Sequence, residues 1–274
     1  MINGFYAVDC QVHSFRSHDG KASIADQCAR AVAIGLDEIG FSEHKDFDPG
    51  DPAVDYFDYD AYMQEIEMAR HQWGDRLKIG AGVEIDYQHW FEDKIANYLD
   101  SHSFDFVIGS VHYVSRIMIM TSEYNRTRTA RQAYSDYFQA VRDSVVSGLF
   151  DILGHLEYAN RRGVAAWGPY DPREYQSELE AIFDGLIERQ MPLEINTAGL
   201  HQGLGMTYPC AETVALYAAR GGKRVSFGSD AHHPDQLGHA YPMAVRLALE
   251  NGLTQICTWE NRRMKLVPIA PQGV

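Results

Sequence analysis

Short apolar runs alternate with amphipathic stretches along most of the chain. Phe5–Asp9 is a predicted strand. Ser23 then offers a helix N-cap, and Ile24, Cys28, Ala31 and Val32 recur at helical spacing until Gly35 ends the run. Asp37–Phe41 is the second predicted strand, and an acidic, aromatic loop (Lys45–Tyr59) separates it from a helix over Asp60–Trp73. The cycle repeats with strand Lys78–Ile85 and helix Phe91–Ser101, strand Asp105–Ser110 and helix Ala130–Ser147, strand Phe150–Gly154 and helix Pro172–Arg189. Strand Pro192–Asn196, helix Cys210–Arg220, strand Arg224–Ser229 and helix Pro242–Gly252 complete it. Strands alternating with helices in this way imply parallel strands joined by crossover helices. An open dinucleotide-binding sheet would carry G-x-G-x-x-G after its first strand, where this chain has Asp9, Gln11 and His13. The expected fold is therefore α/β, a barrel of seven or eight βα units with its chemistry at the C-terminal ends of the strands.

The 274 residues contain no Pro/Ser/Gly-rich linker or internal repeat, so a single domain over residues 1–274 is expected. Acidic side chains outnumber basic ones 38 to 24, a formal charge of −14, which argues against a nucleic-acid partner. Apolar runs fall far short of the roughly 20 residues of a membrane span. The opening MINGFYAVDC lacks a basic segment followed by an apolar one, so a cytoplasmic protein without a membrane partner is expected. Cys10, Cys28, Cys210 and Cys257 show no CxxC spacing and are expected to be reduced and buried.

The twelve histidines change the picture, because they and the acids gather at strand exits. The first strand leads into Asp9, Gln11 and His13, with Asp19 on the loop beyond, and the second into His44. The third ends at Glu84, the fourth at His112, the fifth at His155 and Glu157, the sixth at Glu194 and Asn196, and the last at Asp230, His232 and His233. One such histidine would usually be a hydrogen-bonded half-buried ring. A barrel, however, aims all of them at one bowl, where so many unpaired polar groups would cost several kcal/mol each without a compensating cation. Imidazole and carboxylate without thiolate suit Zn, Mn or Fe. Two or more such ions, with Glu84 as a candidate bridge, imply hydrolysis, and a phosphoester suits them. Arg161 and Arg162, just beyond the fifth strand, are candidate phosphate ligands. By contrast, His71, His89 and His102 lie beside amphipathic helices and are expected on the surface, His239 is expected to be structural, and His18 and His233 are substitutes for the neighbouring ligands. The Asp46–Tyr59 loop is either a substrate lid or a solvated connection.

The ordered set D-x-Q-x-H-S, S-E-H, G-V-E-I-D, G-S-V-H-Y, I-L-G-H, E-I-N-T-A-G-L and G-S-D-A-H-H-P-D-Q-L-G, over about Asp9 to Gly238, closely resembles the polymerase and histidinol phosphatase (PHP) superfamily. E-I-N-T-A-G-L followed by G-S-D-A-H-x-P resembles its histidinol-phosphate phosphatase branch. The resemblance implies a distorted (β/α)7 barrel with two to three divalent ions and hydrolysis of a small phosphorylated substrate, histidinol phosphate first among them. One ion would be held by His13, Glu84, Asp230 and the residue at position 11, a second by Glu84, His112 and His155, and a third by Asp19, His44 and His232. It also implies attack by a hydroxide and protonation of the leaving alkoxide by a group near Asp230 and His232, with phosphate meeting Arg161 or Arg162, His201 and Asn196. Two positions depart from the pattern. Gln11 stands where the opening motif has its first histidine, and His201 where the phosphatase branch usually has a basic residue, often arginine. Rival readings are an amidohydrolase, which would want H-x-H after the first strand, a nuclease or proofreading module, which would want a basic surface, and a degenerate non-catalytic barrel.

Overall fold

A computed structural model describes residues 5–269; residues 1–4 and 270–274 of the expected domain lie outside the described residues. Along the chain run β1 (Val8–Val12), α1 (Ile24–Ile34), β2 (Glu38–His44), α2 (Tyr59–Trp73), β3 (Lys78–Asp86), α3 (Glu92–Ser101) and β4 (Phe106–Ser110). A small hairpin, β5 (Tyr113–Val114) and β6 (Ile117–Met118), and α4 (Ser122–Arg126) precede α5 (Ala130–Ser147), β7 (Ile152–Leu153), α6 (Asn160–Trp167) and α7 (Gln176–Arg189). Then come β8 (Leu193–Asn196), α8 (Ala198–His201), α9 (Ala211–Ala219), β9 (Val225–Gly228), α10 (Tyr241–Glu250) and a hairpin of β10 (Gln255–Glu260) and β11 (Arg263–Pro268).

The main sheet has the order β1-β2-β3-β4-β7-β8-β9-β10-β11, parallel from β1 to β10. Beyond β9 the chain returns to β1 through a parallel bridge between Val12 and Ala231, with the His13 amide donating to the Ala231 carbonyl at 2.9 Å. At its other end β9 pairs with β10 instead, through Val225 and Ile256. The seven strands β1–β4 and β7–β9 thus form a distorted (β/α)7 barrel, joined at the C-terminal strand ends and splayed at the opposite ends.

Local chemistry explains the elements. Ser23 caps α1 in a capping box with Asp26, and Gly35 ends the helix at φ 81°, a conformation that suits glycine. Inside the barrel, Gly40 and Gly82 leave room for Phe106; a Cβ on Gly82 would lie 2.3 Å from the ring. Lys78 pairs with Glu38 at 2.9 Å and also reaches the Trp259 carbonyl, which ties β10 across the splayed end.

Several boundaries differ from the sequence expectation. The first strand begins at Val8 and extends through Gln11 to Val12, and β2 continues to His44. Polar residues had marked these strand exits, but the upper barrel interior is itself polar: Asp9, for example, accepts from the Ser229 amide at 2.8 Å and the Gly238 amide at 2.9 Å. The Pro172–Arg189 helix divides into a 3₁₀ turn over Pro172–Tyr175 and α7. The terminal hairpin was not expected; its turn runs through Asn261 and Arg262, both at positive φ.

Candidate metal centre

The exits of β1, β2, β3, β4, β7 and β9 deliver side chains to one bowl, and Glu84 sits at its centre, fully buried. Glu84 Oε1 lies 2.8 Å from His155 Nε2 and 3.6 Å from His112 Nε2, while Oε2 lies 3.3 Å from His13 Nε2 and 3.7 Å from His44 Nδ1. His13 Nε2 is also 3.2 Å from Asp230 Oδ1. Across the bowl His232 Nε2 is 3.1 Å from Asp19 Oδ2, and His44 Nε2 is 3.9 Å from that same oxygen. Three sets of donor atoms lie within metal-binding reach of one another: His13, Glu84 and Asp230; Glu84, His112 and His155; and His13, His44 and His232. Asp230 takes φ 54°, a backbone conformation that a non-glycine residue adopts at a cost, and this turn directs its carboxylate back at His13.

The layer beneath selects the ring tautomers. Ser17 Oγ donates to Glu43 Oε2 at 2.7 Å, so it has only acceptor capacity left for the His44 amide at 2.9 Å and for His13 Nδ1 at 3.1 Å. His13 therefore carries a proton on Nδ1 and aims Nε2 at two carboxylates, where it has no aligned hydrogen-bond partner. His232 Nδ1 is likewise held by the Asp230 carbonyl at 2.9 Å. An orphaned ring nitrogen facing two carboxylates, and two Nε2 atoms 3.4 Å apart on His112 and His155, fit a divalent cation.

The electrostatics agree. Burial, then the neighbouring His13, pushes His44 down to about 4, and burial pushes His112 down to about 3, so both rings are neutral, the form that binds metal. Burial alone would raise Glu84 and Asp230, but His44, His13 and His155 hold Glu84 well below the usual carboxylate range, and His13 and His232 hold Asp230 at about 2. Burial alone would lower His13, but its contacts with Asp230 and Glu84 raise it well above the ordinary value.

A cavity of about 630 Å³ opens onto the bowl. Arg161 lines it, bonded to the Tyr158 hydroxyl and lying over that ring, which packs 4.6 Å from His155. Arg162 is exposed and does not line this cavity. His201 lines it with Nε2 3.1 Å from the Ser229 carbonyl. Asn196 does not reach it: the side chain is buried in the barrel and donates to Gln11 Oε1 at 2.7 Å. Gln11 in turn donates to Glu84 Oε2 at 2.8 Å, which presents an N–H rather than a lone pair to the bowl. Ser17, Glu43, Tyr158, Met118 and Met120 were not singled out from sequence, whereas Asp46 and Asp51 belong to the acidic loop read there as a lid or a solvated connection. Glu43 stood inside the S-E-H motif beside His44 and was the one with a usable signal; Ser17, Tyr158 and Met120 lie in loops without periodicity, and Met118 lies in the two-residue strand β6.

The PHP domain family model matches residues 9–198, and the chain belongs to this family. Among curated relatives, the histidinol-phosphatase of Lactococcus lactis is 30% identical, across 82% of this chain and 84% of that protein. The histidinol-phosphatase of Bacillus subtilis is 24% identical, across 85% of this chain and 96% of that one. Among solved structures, the histidinol phosphate phosphatase of Lactococcus lactis, complexed with zinc, L-histidinol and phosphate, superposes with a TM-score of 0.86 at 28% identity, covering 95% of this chain and 99% of that one.

Proposed function

We propose that this chain is a metal-dependent phosphatase that hydrolyses histidinol phosphate to histidinol and phosphate. The observation that carries the reading is the convergence of His13, Asp19, His44, Glu84, His112, His155, Asp230 and His232 on one bowl with Arg161 at its wall. Similarity to histidinol-phosphatases across most of the chain supports it. Divalent ions held by these histidines and carboxylates, Zn, Mn or Fe by donor type, would supply hydroxide from water at neutral pH and charge to neutralise the ester oxygens.

The chain's own groups do the remainder. The guanidinium of Arg161 binds the phosphate, with His201 on the same cavity wall. Asp46 and Asp51 line this cavity too and suit a substrate that carries a cationic amine beside its phosphate. Protonation of the departing alkoxide falls to a group at the β9 exit, beside Asp230 and His232 on the cavity wall. Among the described residues no helix is long and apolar enough to cross a membrane. All four cysteines are free and buried, which accords with a reducing, cytoplasmic setting.

The test is metal analysis of protein purified without chelator, joined to phosphate release from a panel of phosphomonoesters that includes histidinol phosphate. Bound transition metal and preferential release from histidinol phosphate are expected. Absence of release from the whole panel with added Zn²⁺ or Mn²⁺ sinks the phosphatase reading, and preference for another ester moves the substrate.

A further inference from the structure

The corner formed by His13, Glu84 and Asp230 has three protein donor atoms, and Gln11, two residues before His13 and approaching the same Glu84 oxygen, is the next side chain along its wall. The direction of its amide is dictated by a chain of hydrogen bonds. The Ala198 backbone N–H, which can only donate, meets Asn196 Oδ1 at 2.9 Å, and this turns the Asn196 NH₂ toward Gln11 Oε1 at 2.7 Å and Glu194 Oε2 at 3.1 Å. With its oxygen so engaged, Gln11 has only its NH₂ to offer Glu84 Oε2, at 2.8 Å. Reversing the amide would set NH₂ against NH₂ at one end and oxygen against carboxylate at the other, in a place where both Gln11 and Asn196 are fully buried.

We propose that Gln11 is a positioning residue that steadies Glu84 from behind, and that it thereby leaves the His13–Glu84–Asp230 corner short of a fourth protein ligand. An ion in that corner is therefore held by no more protein donors than the other two sets supply, and exchanges faster than it would with a fourth. This rests on the metal-dependent reading above. It follows from ligand count, since a fourth protein donor closes a zinc site that three leave open to water, and from the polarity of the one side chain that would complete the set.

The experiment measures zinc per chain by mass spectrometry after fixed dialysis against a dilute chelator, with the unfolding midpoint of each zinc-loaded protein as a check on folding. The wild type sets the reference rate at which an ion is lost from this corner. Gln11→His and Gln11→Glu, which put a lone pair where the N–H now points, are expected to lose that ion at least tenfold more slowly. Asn196→Asp leaves Gln11 in place but replaces the donor to Oε1 with an acceptor, so the amide turns over and the same slowing is expected. Unchanged zinc loss in the folded variants overturns the inference while leaving the phosphatase reading intact. No retained zinc in any of these proteins overturns both.

Discussion

At the scale of single residues, the two adjacent arginines separate cleanly. Arg161 faces the cavity and Arg162 does not, so Arg161→Ala is expected to lower kcat/KM by roughly 10- to 100-fold, the loss of one charge-assisted phosphate contact worth about 1.5–3 kcal/mol. Arg162→Ala should leave steady-state kinetics near the wild-type values; equal losses in both would remove Arg161 from the phosphate. The layer under the bowl makes a second prediction. Ser17→Ala frees the proton position on His13, and isothermal titration should show metal affinity falling about 10- to 100-fold, as is usual when the partner of a ligating histidine is lost. The eight clustered histidines and acids were legible in the sequence because each lies at the end of a predicted strand or on the loop beyond it. Asn196 was legible as a strand residue but not as a partner of Gln11, since no pattern along one strand reports what faces it across the barrel.

At the scale of elements, the barrel interior depends on small residues opposite a large one. Gly82→Ala would place a methyl 2.3 Å from Phe106, and the overpacking is expected to lower stability by about 1–3 kcal/mol in urea titration. Glu157, at φ 75° just before α6, links that helix to α9 by accepting from the Cys210 amide at 2.8 Å, from Thr213 and from the Tyr170 hydroxyl. Burial raises it from 4.5 to about 6 despite these bonds. The folded state then binds this proton more tightly than the unfolded one, so the contribution of Glu157 to stability declines as pH rises through that window, by about 2 kcal/mol. Stability measured from pH 4 to 7 should fall in the wild type relative to Glu157→Gln across this range and run parallel above it. A constant difference would show that Glu157 does not titrate there. Long amphipathic elements such as α5 were read to the residue because their apolar period is unbroken and Thr129 caps them. The hairpin of β5 and β6 was missed because its turn, Ser115–Arg116, takes positive φ without glycine or asparagine and so lacks the usual hairpin signature.

At the scale of the whole molecule, the alternation of strands and helices was enough to predict a barrel of seven or eight βα units, and the resemblance a seven-stranded one, whereas its splayed end was not legible, because it depends on where a terminal hairpin docks. The candidate ligands straddle the place where the barrel joins itself: His13 follows β1, and Asp230 and His232 follow β9, on either side of the Val12–Ala231 bridge. Zinc or manganese is therefore expected to raise the midpoint of thermal unfolding by several degrees in scanning fluorimetry, and to slow amide exchange at His13, whose N–H crosses that join. An unchanged midpoint would separate metal from closure. The same join has a bearing on biosynthesis. A ribosome delivers His13 early and His232 only when most of the chain has been made, so a nascent or truncated chain holds fragments of the ligand set but never the bowl. The complete bowl, and hydrolysis with it, thus waits for a nearly complete polypeptide.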